Sequence, residues 1–328
     1  MTADDRRFAR PLSSGPREPS LDLSACGGGL FYREGKVTSV LDRSWELFRE
    51  GAFPELSSLF ADCQSAGRGR FGRAWASPPG GVYASLRLPL APPFAGSAAG
   101  LALAVLVCLA LEEETGLRPQ IKWPNDILLD GRKTGGILLE NRQGALMAGI
   151  GLNVGAPPGL PEGRVPEAPP PGALPPSVLA GRDGPSGLWI DLLKNVILSY
   201  NGRFALQASG SGPAAPLRPV AKSGAAALAP SGVPGAAASA PSGGPGAKAG
   251  PREPSGPDSR DFPKLQAAAT RLLYGLGRPI RVERPGPQAS PDEVFLEGIL
   301  TGLDGAGALV VKTPEGLRAL WSGTLLFP

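Results

Sequence analysis

The chain has 328 residues, a formal net charge of +4 and a hydrophobic fraction of 42%, enough for a buried core in one large domain or two unequal ones. It contains no histidine, which excludes histidine acid–base chemistry, histidine metal sites and any Ser/His/Asp triad. The charge excess is mild and its arginines are scattered except at one loop, so no basic footprint for specific DNA binding is expected.

Cys26, Cys63 and Cys108 are odd in number and far apart. Neither a disulfide framework nor a zinc site is expected, and a reducing cytoplasm fits best. Residues 1–35 are polar and turn-rich, without the apolar core of a signal peptide. They are expected to be loosely ordered, and they lack the amphipathic elements of a winged-helix DNA-binding module. Residues 36–205 read as one α+β domain built on a mixed sheet. KVTSVLD is a strand signal, SWELFREG a helix capped by Ser44, and LFADCQ and YASLRL are strands. Ala98–Leu111 is an apolar run of fourteen residues, short of the roughly 20 needed to span a bilayer. It reads as a buried helix ending near Gly116, with no membrane partner. QIKWPND leads into a turn, and GILLE and LMAGIGLNVG are strands.

Residues 156–185 are a Pro/Gly-rich loop. In Ser186–Phe204, Leu188, Leu192, Val196 and Tyr200 recur about one turn apart and predict an amphipathic helix. Residues 206–260 are Ala, Pro, Gly and Ser without period, too poor in apolar side chains to offset their ordering entropy; a disordered insert is predicted, carrying no site. Residues 261–328 are expected to form a short helix and then a small β-barrel, from the strand signals PIRVER, VFLEGILTGL, ALVVKT and LRALWSGTLLF.

Two segments carry chemistry. In CQSAGRGRFGRAW, Gly67, Gly69 and Gly72 formally give GxGxxG. The following WASPPGG breaks any helix and no acid lies near position 90, which argues against dinucleotide binding. Arg68, Arg70 and Arg73 alternate with glycines. Glycine lets backbone amides approach anionic oxygens, and arginine adds a forked, permanent cation; the segment is either an anion clamp or a solvated basic turn. In IKWPNDILLDGRKTGGILLEN, Lys122, Asn125, Asp126 and Lys133 lie amid apolar residues, where charges are costly unless paired or liganded. Lys122 and Lys133 could bind a carboxylate and a phosphate together and offset the charge that builds between them. Asp126 could accept a proton from an amine. The alternative is a turn with ordinary surface charges.

Together these segments resemble the biotin protein ligase (biotin–[acetyl-CoA-carboxylase] ligase) family, in the type without an N-terminal DNA-binding domain. GRGRFGRAW is similar to that family's GRGRxGRxW loop, KWPNDILLDGRKTGGILLE to its KWPNDxxxxxxKxxGILxE segment, and GIGLNVG to its GxGxNV strand. The C-terminal residues resemble the family's SH3-like barrel. The resemblance implies a biotin/lipoate ligase-like fold and an ATP-dependent enzyme. It would form biotinyl-5'-AMP from biotin and Mg-ATP, with Mg2+ carried by the nucleotide and no metal held by protein side chains. It would then biotinylate one lysine of a biotin carboxyl carrier protein, as monomer or homodimer. Catalysis would fall to Lys133, Asp126, Lys122 and Arg70. Biotin would contact Ser44, Arg43, Gln64, Arg68, Gly69, Arg70, Lys133 and Gly136. ATP and the adenylate would contact Arg70, Arg73, Trp75, Lys122, Asn125 and Asn153. One departure stands out: where the family has a Ser-Thr-Asn triplet against the ureido ring, this chain has Arg43-Ser44-Trp45. The alternatives are a lipoate or octanoate ligase of related fold, or a non-catalytic biotin-binding module.

Overall fold

The computed structural model describes residues 18–157, 159, 169–202, 263–283 and 294–328. The expectations for residues 1–17 and for the 206–260 insert lie outside them.

An eight-stranded mixed sheet has the order β1-β2-β3-β4-β8-β7-β6-β5. Its strands are β1 (Leu21–Asp22), β2 (Leu30–Val37), β3 (Ser58–Gln64), β4 (Val82–Leu88), β5 (Gln120–Lys122), β6 (Asp126–Leu129), β7 (Arg132–Arg142) and β8 (Ala145–Leu152). β2 and β3 are parallel and the other pairs antiparallel. The sheet begins before residue 36, inside the stretch expected to be loose. Strand alternation sends Val82, Ala84, Leu86 and Leu88 of β4 and Leu146, Ala148, Ile150 and Leu152 of β8 into the main core, under helices α2 (Ala99–Thr115) and α3 (Gly184–Tyr200). Gly116 ends α2 in the left-handed conformation, its N–H reaching the Glu112 carbonyl, as expected of a glycine cap.

The opposite face carries a smaller core under α1 (Val40–Arg49), with Leu41, Trp45, Leu47, Tyr83 and Met147 buried. Ser39, not Ser44, stands at the N-cap of α1. Ser44 lies mid-helix, fully buried, donating back to the Val40 carbonyl at 2.8 Å and touching the Ser85 hydroxyl. KVTSVLD is therefore the end of β2 plus the first turn of α1.

Helix α4 (Pro263–Leu272) packs on α2, and Arg271 grips the Glu112 carboxylate with two hydrogen bonds of 2.8 and 2.7 Å. Tyr274 N–H then donates to the Ile121 carbonyl of β5 at 2.8 Å. Beyond it lies a five-stranded antiparallel sheet in the order β12-β11-β10-β9-β13. It comprises β9 (Pro279–Glu283), β10 (Val294–Leu303), β11 (Leu309–Thr313), β12 (Gly316–Leu320) and β13 (Thr324–Leu326). Among the described residues β12 and β13 are its two edges, so the expected small barrel is observed as a small antiparallel sheet.

Candidate active site

One cross-strand row organises the site. Lys122 of β5 pairs with Asp126 of β6, Asp126 with Gly136 of β7, Gly136 with Gly151 of β8, and Gly151 with Tyr83 of β4. Directly opposed residues share a face, so the lysine, the aspartate and two bare glycines all open on the α1 side. Strict alternation from Gly136 would send Lys133 to the other face. The β6–β7 register shifts between Ile127 and Leu128, leaving Thr134 as the extra residue. A bulge of this kind re-aims the side chain beside it. The Lys133 ammonium accordingly lies 2.7 Å from Asp126 Oδ1. Thr134 is buried and donates to the Ile127 carbonyl at 3.2 Å, which fixes the bulge.

The glycine–arginine loop folds back over this row as a short hairpin. Trp75 N–H donates to the Gly67 carbonyl (2.9 Å) and Gly69 N–H to the Arg73 carbonyl (2.8 Å), with Phe71 and Gly72 in the left-handed region at the tip. Gly67 leaves no room for a side chain: an added Cβ would come within 2.5 Å of the Trp75 carbonyl. The Trp75 indole rests on the glycine floor, where an added Cβ at Gly151 would come within 2.6 Å of Trp75 Nε1 and one at Gly136 within 3.3 Å of the ring. The Lys133 ammonium stands 5.6 Å from the indole centre, in cation–π range. Arg70 Nη1 donates to Asn125 Oδ1 at 3.0 Å, while Asn125 Nδ2 donates to the Ile137 carbonyl at 2.7 Å. The two segments thus meet, with Arg70, Asn125, Asp126, Lys133 and Trp75 in one cluster.

Electrostatics at the cluster are uneven. Lys122 is only 5% exposed. Burial pulls its pKa down to about 8, with neighbouring Lys133 and Arg73 adding to the fall and Asp126 opposing it. Burial likewise lowers the pKa of Arg70, though an arginine keeps its charge. Arg73 is exposed at the loop's edge. Cations partly stripped of water in this way favour anionic ligands.

The sequence matches the Biotin/lipoate A/B protein ligase family over residues 34–156 and the Biotin protein ligase C terminal domain over residues 275–325, together just over half of the chain. The chain belongs to the biotin/lipoate protein ligase family. Among curated relatives, the chain is 40% identical over 145 residues to the bifunctional ligase/repressor BirA of Bacillus subtilis, a span of 42% of this chain and 44% of that protein. It is also 40% identical over 132 residues to the biotin--[acetyl-CoA-carboxylase] ligase of Paracoccus denitrificans, covering 37% of this chain and 51% of the relative. The chain therefore spans about half the length of the curated relatives it matches. In fold, the chain is similar to the biotin protein ligase from Aquifex aeolicus in complex with biotin and ATP. That match has TM-score 0.56, 22% identity and coverage of 91% of this chain and 98% of the other.

Several residues expected to bind ligand are engaged with other parts of the chain. Ser44 is sealed in the core beneath α1. Arg43 pairs with Glu34 (2.8 Å) and Glu46 (2.9 Å). Neither joins the cluster; both lie inside a helix whose N-cap, Ser39, stands five residues before the expected Ser44. Gln64 braces the loop, its Oε1 accepting from Val40 N–H and its Nε2 donating to Ser77 Oγ, both at 2.8 Å. Asn153 Nδ2 donates to the Gly172 carbonyl at 2.9 Å, tying down a segment whose Pro170 carbonyl accepts from Lys133 N–H. Arg68 reaches Asp42 and Glu140. The sequence reading missed both acids. Asp42 sits three residues after the true N-cap, so locating the helix start would have found it.

Proposed function

We propose that the chain activates biotin with Mg-ATP and transfers it to a lysine of a biotin carboxyl carrier domain. The observation that carries this reading is the meeting of Arg70 and Lys133 around Asn125 and Asp126, over a floor without side chains. The names of the relatives, biotin--[acetyl-CoA-carboxylase] ligase among them, support it.

In the first step a biotin carboxylate oxygen bonds to the α-phosphorus of ATP and the bond to pyrophosphate breaks, giving biotinyl-5'-AMP. Lys133 and Arg70 would sit between the two anions and neutralise charge as they close. Lys122 and Arg73 would hold phosphate oxygens, Asn125 and Asn153 would support the nucleotide side, and Trp75 would stack on adenine. Gln64 and Gly69 would border biotin. Mg2+ would be carried by the nucleotide. In the second step the carrier lysine nitrogen bonds to the biotinyl carbonyl, AMP leaves, and Asp126 takes the proton. Lys133 occupies Asp126 at 2.7 Å, and drawing Lys133 toward the adenylate would free that carboxylate for the amine. A closed loop over the anhydride would keep water from hydrolysing it.

The test mixes the protein with biotin, Mg-ATP and a carrier domain and follows intact mass. A single biotinyl increment on one lysine is expected, with pyrophosphate released on biotin and not on lipoate. Release on lipoate alone would transfer the reading to the lipoate branch of the family.

A further inference from the structure

Arg68 does not point at the Lys122–Asp126–Lys133 row. Its guanidinium forks onto the Asp42 carboxylate, Nη1 to Oδ2 at 2.6 Å and Nη2 to Oδ1 at 2.8 Å. Nη2 also reaches Glu140 Oε1 at 3.3 Å. Glu140 is held in turn: its Oε2 accepts from Trp45 Nε1 at 2.8 Å and lies 3.0 Å from Arg142. Planar two-point pairing of this kind fixes direction as well as distance. The Arg68 hydrogen bonds also hold the Asp42 carboxyl below its ordinary range.

The loop hairpin makes this pairing consequential. Arg68 lies across the stem from Ala74, next to the Gly67–Trp75 hydrogen bond, and two residues before Arg70. Asp42 belongs to α1 and Glu140 to β7, elements outside the loop. The stem is thus pinned from one side, which leaves Trp75 on the glycine floor and Arg70 on Asn125.

We propose that Asp42 and Glu140 are positioning residues, a two-carboxylate latch for Arg68 that holds the 67–75 loop over the reacting groups without touching substrate. The latch rests on the proposed adenylation activity for its kinetic consequence, but not for its structural one.

The test uses the full chain with Asp42→Asn, Glu140→Gln, Asp42→Glu, Arg68→Ala and the Asp42→Asn/Arg68→Ala double variant. Limited trypsin digestion scores cleavage after Arg70 and Arg73, and pyrophosphate release gives KM and kcat. Losing a forked pair of partial exposure should raise loop cleavage about fivefold in Asp42→Asn. KM for biotin and for Mg-ATP should rise by a similar factor while kcat changes less. Asp42→Glu should restore most of the loss, and the double variant should be no worse than Arg68→Ala alone. Loop cleavage at the unaltered rate in both Asp42→Asn and Glu140→Gln would overturn the latch. So would Arg68→Ala and Asp42→Asn multiplying their effects, since Arg68 would then act on the substrate itself. If the unaltered protein released no pyrophosphate on biotin, the proposed activity would fail while the cleavage comparison still decided the latch.

Discussion

Replacing Lys122 with methionine removes a cation that is 5% exposed and keeps its apolar stem. A fall from the ordinary lysine value of 10.5 to about 8 corresponds to about 3 kcal/mol disfavouring the charged form in the fold. That figure already includes the attraction of Asp126 and Glu283; the methionine side chain packs imperfectly in a site shaped for an ammonium, so at pH 7 the variant should gain about 1–2 kcal/mol of stability. The gain has a defined pH course. Below about pH 8 the lysine is charged in both folded and unfolded chains, and its full burial cost is present. Between about pH 8 and 10.5 the unfolded chain binds the extra proton, so wild-type stability rises and the advantage of methionine disappears. Urea unfolding of both proteins at pH 7 and pH 10 measures this, alongside pyrophosphate release, which should fall at least about a hundredfold if Lys122 serves the phosphates. A methionine variant that is less stable at pH 7, or equally favoured at both pH values, would refute the claim that burial depresses this lysine.

Lys133→Ala should lower biotin-dependent pyrophosphate release about a hundredfold or more and leave the unfolding midpoint nearly unchanged, since its pair with Asp126 is partly exposed; retained activity would remove Lys133 from the chemistry. Gly151→Ala should force the indole off the sheet, because the new Cβ falls 2.6 Å from Trp75 Nε1. The expected result is a raised KM for Mg-ATP and faster tryptic cleavage of the loop, and an unaltered KM would count against Trp75 as the nucleotide lid. Mg-ATP binding at pH 8.5 should take up protons as phosphate recharges Lys122. Calorimetry in two buffers of different ionisation enthalpy would detect it, and equal heats would contradict it.

Much of the fold was legible because its signals are local. The apolar run of α2, its Gly116 cap and the alternating β4 each declare themselves within a dozen residues. The chemical segments were legible for a related reason: glycine next to arginine, and lysines amid apolar strands, have few other uses. What sequence alone did not reveal depends on phase and on distant partners. KVTSVLD alternates like a strand, yet holds a strand end, a cap and a helix start, and that shift put the helix cap at Ser44 instead of Ser39. The bulge at Thr134, which turns Lys133 into the site, exists only as a mismatch between two paired strands. Residues 169–174 read as proline-rich loop, yet their backbone bonds to Lys133 and Asn153. The partners of Arg68 lie 26 and 72 residues away, beyond the reach of any motif.

The hydrogen bond from Tyr274 to the Ile121 carbonyl has a bearing on how this protein can be dissected. Ile121 adjoins Lys122 on the outermost strand of the large sheet, and the C-terminal part supplies that strand's free side with a backbone partner. A truncation ending before residue 263 would strip α4 from α2 and leave a bare edge beside the buried Lys122, inviting strand-to-strand self-association. The amino-terminal and carboxy-terminal portions are therefore best expressed and engineered as one piece.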